Sequence, residues 1–311
     1  MSDSDEARAE TGELLHSGYV AVVGKPNVGK STLMNRILGE KIAIVSPKPQ
    51  TTRLRQLGIY TAPDVQAIFV DTPGIHQPRH KLGKFMVEVA RTALNDADVI
   101  LFVCDLKTLP DDDDARVAAM IREAPSVPVV LALNKLDLLR PEQVIPHTEA
   151  YRALLPQADW ESLSAANGDG VPALLRRVVE KLPPGPLYYP EDQISTTALR
   201  DIAAEIVREK ALLNLEQEVP HAVAVEVEEF VERSPTLTYI RVVIYVERES
   251  QKGILIGRGG AMLKKIGSEA RAELEQLLGT QVYLEPWVKV LKNWRQDEKM
   301  LARLGYKLRP L

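Results

Sequence analysis

The stretch Gly24-Lys25-Pro26-Asn27-Val28-Gly29-Lys30-Ser31 constrains this chain more than any other. The apolar run Tyr19-Val20-Ala21-Val22-Val23 leads into it, and Thr32 opens a helical-looking segment that runs on to residue 38. Strand, glycine-rich turn and helix in that order make a Walker A phosphate loop. Glycines at 24 and 29 keep β-carbons out of the way, so consecutive backbone N–H groups can turn towards a phosphate at the positive end of the helix. Lys30 can reach the outer phosphates as a point charge, and the Ser31 hydroxyl can ligate a bridging Mg2+.

The residues that follow supply the rest of a nucleotide site. Residues 39–57, with Ser46-Pro47-Lys48-Pro49-Gln50-Thr51-Thr52-Arg53, are polar, proline-broken and without periodicity, and read as a mobile loop. Strands are expected over 57–60 and 65–70, the second ending in Asp71-Thr72-Pro73-Gly74. Helical and buried-strand patterns then alternate: 83–94, 99–104, 111–123, 127–133, 142–155, 160–163 and 171–182. Such an order calls for a doubly wound, mostly parallel sheet with its motifs at the carboxyl ends of strands. Asp71 is placed to hold Mg2+ through water, Gly74 to offer an N–H near the γ-phosphate, and either Thr51 or Thr52 to add a hydroxyl to the metal. Asn134-Lys135-Leu136-Asp137 selects the base: a carboxylate at 137 accepts from both N1–H and the 2-amino group of guanine, and adenine offers neither. Asn134 would tie neighbouring loops, Lys135 would cover the base face, and Ser164-Ala165 would support the base through a backbone N–H.

Pro183-Pro184-Gly185-Pro186 is the strongest break in the chain, and the charge balance shifts beyond it. Residues 251–311 carry 12 Lys+Arg against 6 Asp+Glu in a protein of net charge −4, which suits a local anionic partner rather than general coating of nucleic acid. The expected division is a disordered acidic tail over 1–16, a nucleotide unit over 17–182, a linker over 183–195, and a second unit over 196–311 with a basic extension. In that second unit a helix is expected over 197–215 with Ile202, Ile206 and Leu213 as its apolar face. Strands over 221–231 and 239–246, the turn Gly257-Arg258-Gly259-Gly260, a helix over 261–278 and a strand from 281 follow. The glycines of the turn leave room for a single-stranded backbone, with Arg258, Lys264 and Lys265 supplying charge. Trp287 and Trp294, among Lys289, Lys292, Arg295 and Lys299, are either stacking surface or core packing. The acids at 111–114 read as helix-start residues and the five histidines fit no metal spacing. A single cysteine, Cys104, and no apolar run near 18 residues point to a reducing, cytoplasmic setting.

The nucleotide motifs, in order and spacing, resemble the translation-factor-type GTPases. Ile256-Gly257-Arg258-Gly259-Gly260 resembles the GXXG loop of a KH domain, and from about residue 17 the chain is similar to the bacterial ribosome-associated GTPases that join the two. The resemblance implies an α/β P-loop GTPase unit followed by an α+β type II KH unit that binds RNA through residues 256–260, Lys264 and Lys265. It implies hydrolysis of GTP to GDP with Lys30, Asn27, Thr52 and Gly74 in catalysis, and Mg2+ on Ser31, Thr52 and Asp71. The partners it implies are 16S rRNA near its 3′ end and the small ribosomal subunit, whose assembly a monomeric switch would assist; weak contact with the inner membrane is left open. Asn27 matches an asparagine that in similar GTPases helps hold K+ against the phosphates. Ile75 stands where Ras-like relatives carry a water-positioning glutamine, which implies slow or assisted hydrolysis and leaves open a module in which GTP is only a structural ligand.

Replacing Asp137 by Asn should exchange guanine for xanthine, because xanthine keeps N1–H but carries a carbonyl in place of the 2-amino group. Equal GTP affinity in the two proteins would remove Asp137 from the base site.

Overall fold

The computed structural model describes residues 15–48 and 50–308. Strand β1 (Leu15–Val23) runs parallel between β3 (Val65–Asp71) and β4 (Val99–Asp105). Covered on both faces, it has to be an unbroken apolar run at its far end. β2 (Gln56–Ala62) lies antiparallel to β3 at one edge, and β5 (Val129–Asn134) and β6 (Asp159–Ser162) extend in parallel beyond β4. Helices α1 (Lys30–Leu38) and α5 (Val171–Val179) cover one face of this sheet, packing Leu33, Met34, Leu174 and Val178 on Val20 and Val22. The opposite face carries α2 (Lys81–Asn95), α3 (Asp112–Glu123) and α4 (Pro141–Arg152), with Ala90, Val117 and Tyr151 against Ala21, Val23 and Phe102. The result is the doubly wound, mostly parallel sheet expected. The acids before α3 cap it: Asp111 accepts the Asp113 and Asp114 N–H groups at 3.0 and 3.2 Å, and Asp114 returns a bond to the Asp111 N–H at 3.1 Å.

Two expectations at the ends of this unit change. Residues 1–14 of the expected tail lie outside the described residues, but Leu15 and His16 belong to β1, where His16 pairs with Val65. The segment over 183–195 is not a free linker. Pro184–Gly185 forms β7, antiparallel to the start of β1, and a β-carbon on Gly185 would stand 2.4 Å from Ser17 Oγ. Gln66, fully buried, accepts the Tyr188 and Tyr189 N–H groups at 2.8 and 3.0 Å and donates to the Tyr189 carbonyl at 2.8 Å. Further along, the Ile59 N–H donates to the Ile194 carbonyl at 2.9 Å. Proline-rich sequence signals a turn or an extended strap, and here tertiary hydrogen bonds make it a strap.

The second unit opens with α6 (Leu199–Asn214) and the short α7 (Val219–Ala222), so strand β8 (Ala224–Ser234) starts three residues later than expected. β8 is antiparallel to β9 (Leu237–Val246), which pairs in parallel with β10 (Gln281–Val290). Helices α6, α8 (Glu249–Ile256) and α9 (Ala261–Leu278) pack on Ile240, Val242 and Ile244. The buried face of α6 is Ala203, Ile206, Val207 and Ala211, whereas Leu213 is 46% exposed. Among the described residues no helix is long and apolar enough to cross a membrane.

The other face of β9 joins the two units. Val243 and Tyr245 cluster with Leu82 and Met86 of α2 and with Trp294, Leu301 and Tyr306; Leu301 lies in α10 (Glu298–Arg303). Trp294 is fully buried, donates Nε1–H to the Ala222 carbonyl at 3.0 Å, and stacks on Tyr306 with ring centroids 5.8 Å apart. It is core, while Trp287 is 54% exposed. His80 caps α2 by accepting the Gly83 N–H at 2.9 Å, a role that requires a neutral ring. Burial, with Arg295 and Arg53 nearby, pushes its pKa down to about 4 and keeps it neutral.

Trp294→Ala should lower unfolding stability by about 3–5 kcal/mol, the cost of emptying a large buried site. Urea melts followed by circular dichroism measure it, and an unchanged midpoint would mean that the joint between the units does not depend on this ring.

Candidate functional site

The phosphate loop hangs between β1 and α1, and its glycines have reasons beyond the ligand. Gly24 has φ 155° and Gly29 φ 99°. A β-carbon on Gly24 would lie 2.4 Å from the Val103 carbonyl oxygen, and one on Gly29 would lie 2.3 Å from Asn134 Nδ2. Both therefore pack against neighbouring strand ends. Val28 is fully buried and pegs the loop into the core, while Asn27 is held in the left-handed region at φ 65°. Lys25 turns away from the loop to Asp111 and Asp114, at 2.8 and 2.7 Å. Lys30 curls inward, its Nζ 3.2 Å from the Gly24 carbonyl and 3.0 Å from that of Lys25. Burial, against the pull of Asp71, lowers its pKa to about 8.

Three oxygen-bearing side chains meet beside Lys30. Ser31 Oγ lies 2.7 Å from Asp71 Oδ2 and 3.0 Å from Thr52 Oγ1, and Thr52 Oγ1 lies 3.3 Å from Asp71 Oδ2. Thr51 is turned elsewhere, donating to the Lys48 carbonyl at 2.7 Å. Burial pushes the Asp71 carboxyl up, opposed by Lys30 and the two hydroxyls, and its Oδ1 is buried without a partner among the described residues. An all-oxygen set with an orphaned carboxylate oxygen fits Mg2+. Thr72 Oγ1 donates to the Val22 carbonyl at 2.8 Å, fastening the end of β3 to β1. After Pro73, Gly74 lies so close to the phosphate loop that a β-carbon would stand 2.6 Å from Pro26 N. Ile75 donates its N–H to the Gly24 carbonyl at 3.1 Å and buries its side chain in the core, away from any water. Ile75→Ala thus removes core packing, at about 2–5 kcal/mol. A cavity of about 280 Å³ is lined by Asn27, Gly29, Lys30, Ser31, Thr32, Thr52, Gly74 and Lys135.

At the other end of that cavity Asn134 donates to the Val28 carbonyl at 2.8 Å and accepts the Ala165 N–H at 2.9 Å, tying the phosphate loop to the loop after β6. Lys135 Nζ reaches the Asn27 carbonyl at 2.7 Å and Asp105 at 2.6 Å, which stretches its stem across the base end. Asp137 stands exposed in the 3-10 turn Leu136–Leu138. Both N–H groups expected to support a base are engaged, Ala165 by Asn134 and Ser164 by the Asp169 carbonyl at 2.8 Å.

The glycine turn of the second unit lies between α8 and α9. Gly257, Gly259 and Gly260 have φ of 72°, 60° and 81°, and β-carbons on the last two would meet nothing within 4 Å, so the space above them is open. Ile256 packs on the core beneath. A groove of about 410 Å³ continues from Gly260 between α9 and β10, lined by Leu263, Lys264, Gly267, Arg271, Leu284 and Pro286. Arg258 is exposed in the turn two residues before Gly260, whereas Lys265 pairs along the helix with Glu269 at 3.9 Å and does not line the groove. An apolar groove beside the turn was expected from sequence, but Leu263, Leu284, Pro286 and Arg271 were not picked out, and Gly267 gave no signal of them, since a β-carbon there would make only an ordinary 3.6 Å contact with Pro286.

Residues 19–135 match the family model of a 50S ribosome-binding GTPase, and residues 218–295 match that of the KH domain. The chain is 50% identical to the GTPase Era of Geobacter metallireducens over 291 residues, 93% of this chain and 97% of the relative. Its fold is similar to that of Era in complex with MgGDPNP and nucleotides 1506–1542 of 16S ribosomal RNA, with TM-score 0.91, 42% identity, and coverage of 94% of this chain and 100% of that one. A variant of Aquifex aeolicus Era bound to GDP·AlF4− gives TM-score 0.90 and 42% identity, covering 94% and 99%.

Lys30, neutral above about pH 8 in the ligand-free protein, must be charged to hold phosphate. Nucleotide binding above that pH therefore takes up a proton, and affinity should fall by up to about tenfold per pH unit there. Calorimetry at pH 8.5 in two buffers of different ionisation enthalpy measures the uptake; equal apparent enthalpies would place Lys30 in its charged form throughout.

Proposed function

Because the chain belongs to the Era family of GTPases, we propose that it is a GTP-hydrolysing switch that binds the 3′ region of 16S rRNA through its KH unit and assists assembly of the small ribosomal subunit. The observation that carries the GTPase half is the meeting of Thr52, from outside the sheet, with Ser31 and Asp71 beside the phosphate loop. Lys30 neutralises the outer phosphates, the loop N–H groups and the start of α1 hold the rest, and the Gly74 N–H faces the γ-phosphate. Ser31, Thr52 and Asp71 would hold Mg2+, which would supply positive charge to the phosphates. Ile75 takes no part in orienting water. Asn27 donates its Nδ2 to the Pro47 carbonyl at 2.9 Å and so joins the phosphate loop to the loop over 39–55, where the family resemblance puts a K+. Asp137 selects guanine.

In the KH unit a single-stranded backbone crosses Gly259 and Gly260, with Arg258, Lys264 and Arg271 on its phosphates and bases against Leu263, Leu284 and Pro286. The setting is the cytoplasm, the partner the small subunit and the acting form a monomer; any contact with the inner membrane is peripheral.

Gly259→Asp should abolish binding of a single-stranded fragment from the 3′ end of 16S rRNA while leaving intrinsic GTP hydrolysis near wild type. Filter binding at several salt concentrations, beside a GTPase assay on the same preparation, tests both halves. Arg258→Ala and Lys264→Ala should each lower the slope of log K against log salt by about 0.7. Retained RNA binding by folded Gly259→Asp would reduce the turn to a helix start. In the same assay Asn27→Ala should remove any stimulation of hydrolysis by K+ over Na+.

A further inference from the structure

Helix α6 belongs to the RNA-binding unit, yet one of its faces is turned to the nucleotide site. Glu205, Arg208 and Glu209 are spaced i, i+3 and i+4 and share that face. Arg208 is 1% exposed; its Nη2 donates to the Thr51 carbonyl, and its Nε holds Glu205 at 2.8 Å. Glu209, 2% exposed, accepts the Val45 N–H at 2.8 Å and Lys41 Nζ at 2.7 Å. Two residues after Thr51, Arg53 is buried in the joint between the units. Its Nη1 donates to the Val223 carbonyl at 2.6 Å, its Nη2 to the His221 carbonyl at 3.1 Å, and its guanidinium lies 5.6 Å from the Trp294 ring centroid.

The residue between these two anchors is Thr52. The described residues between 39 and 55 form no helix or strand, so each one that is fixed loses backbone entropy, and one hydroxyl on a metal site does not repay it. Burying two arginines is itself costly unless each is hydrogen-bonded. Arg208, held by Glu205 of its own helix, gives one bond to the loop that delivers Thr52, at the Thr51 carbonyl, and the acceptors of Arg53, itself part of that loop, lie in the second unit.

We propose that Arg208 and Arg53 are positioning residues for GTP hydrolysis: α6 and the 221–223 segment hold the chain on either side of Thr52, so that its hydroxyl faces Ser31 and Asp71, and the KH unit is thereby a wall of the catalytic site. The inference rests on the GTPase function proposed above. GDP makes little demand on Thr52, so the effect falls on GTP in Mg2+ and on turnover.

The test uses the full chain. Arg208→Gln and Arg53→Gln should lower kcat about tenfold or more and raise the Mg2+ concentration for half-maximal rate, with GDP affinity within about twofold of wild type. Arg208→Lys should recover part of the rate, since an ammonium can still donate to the Thr51 carbonyl. Folded glutamine variants with wild-type kcat and Mg2+ dependence would overturn the proposal, as would parallel losses of GTP and GDP binding, which mark simple scaffolding. Should the glutamine variants not fold, Arg208→Lys and Glu209→Gln decide, and wild-type kinetics in both overturn it. A wild-type protein that binds GTP without turnover would instead sink the proposed activity. In that case a lowered GTP-over-GDP affinity ratio in Arg208→Gln would still support the positioning role, and an unchanged ratio would refute it.

Discussion

The nucleotide site depends on backbones that approach one another more closely than side chains permit. Gly24 against β4, Gly29 against Asn134 and Gly74 against Pro26 each sit where a β-carbon would come within 2.6 Å of another atom. Once those approaches are made, Asn134 can reach the Val28 carbonyl and the Ala165 N–H at once. The phosphate loop and the loop after β6 are then tied to the end of β5 as one body. A buried amide with both ends satisfied adds geometric definition as well as free energy, since either bond left unmade would cost about 1–3 kcal/mol.

The joint between the units obeys a related logic. Its apolar half, Leu82, Met86, Val243, Tyr245, Trp294 and Tyr306, is non-directional and would tolerate sliding. Its polar half would not. Arg53 sits in a socket of the His221 and Val223 carbonyls with the Tyr306 hydroxyl, and burial lowers its pKa without discharging it. Lys41, shared between Glu209 and Glu273, adds a partly exposed network at the opposite end of the same loop. Directional bonds at both ends fix the loop relative to the second sheet, where hydrophobic contact alone would fix only its distance.

Much of this was legible in the residues. The central strands β1, β3, β4 and β5 could be read from their apolar runs and motifs, because buried parallel strands are apolar and phosphate loops have few settings, whereas β6, Asp159–Ser162, was placed by its position in the alternating order. Gly257 to Gly260 and the long helix after it were equally plain. What stayed hidden depends on tertiary partners. Leu213 looked like core because period alone does not say which stripe of α6 is covered, and the stripe that is covered includes Arg208 and Glu209, residues that sequence reasoning sends to solvent. Trp294 could not be told from Trp287 without knowing that α2 of the first unit lies over it. The role of Arg53 was invisible for the same reason: a charge in a polar loop reads as solvated until its acceptors, at His221, Val223 and Tyr306, are in view.

The strap over 184–189 has a consequence for the order in which the chain is made. Translation delivers β1 first and its neighbours β3 and β4 within the next hundred residues or so, so the centre of the sheet can assemble while the rest is still in the ribosome. The start of β1 waits longer, because Leu15 and His16 complete their pairing only with Gly185 and Pro184, and the amide oxygen of buried Gln66, whose Nε2 already reaches Thr61 at 3.2 Å, gains its bonds from Tyr188 and Tyr189 when they arrive. The nascent nucleotide unit is thus closed by residues beyond its last helix, and it closes as α6 begins to emerge. A chain ending at α5 would leave a buried amide and a strand end to solvent, so the first unit is born finished only when the second has been started.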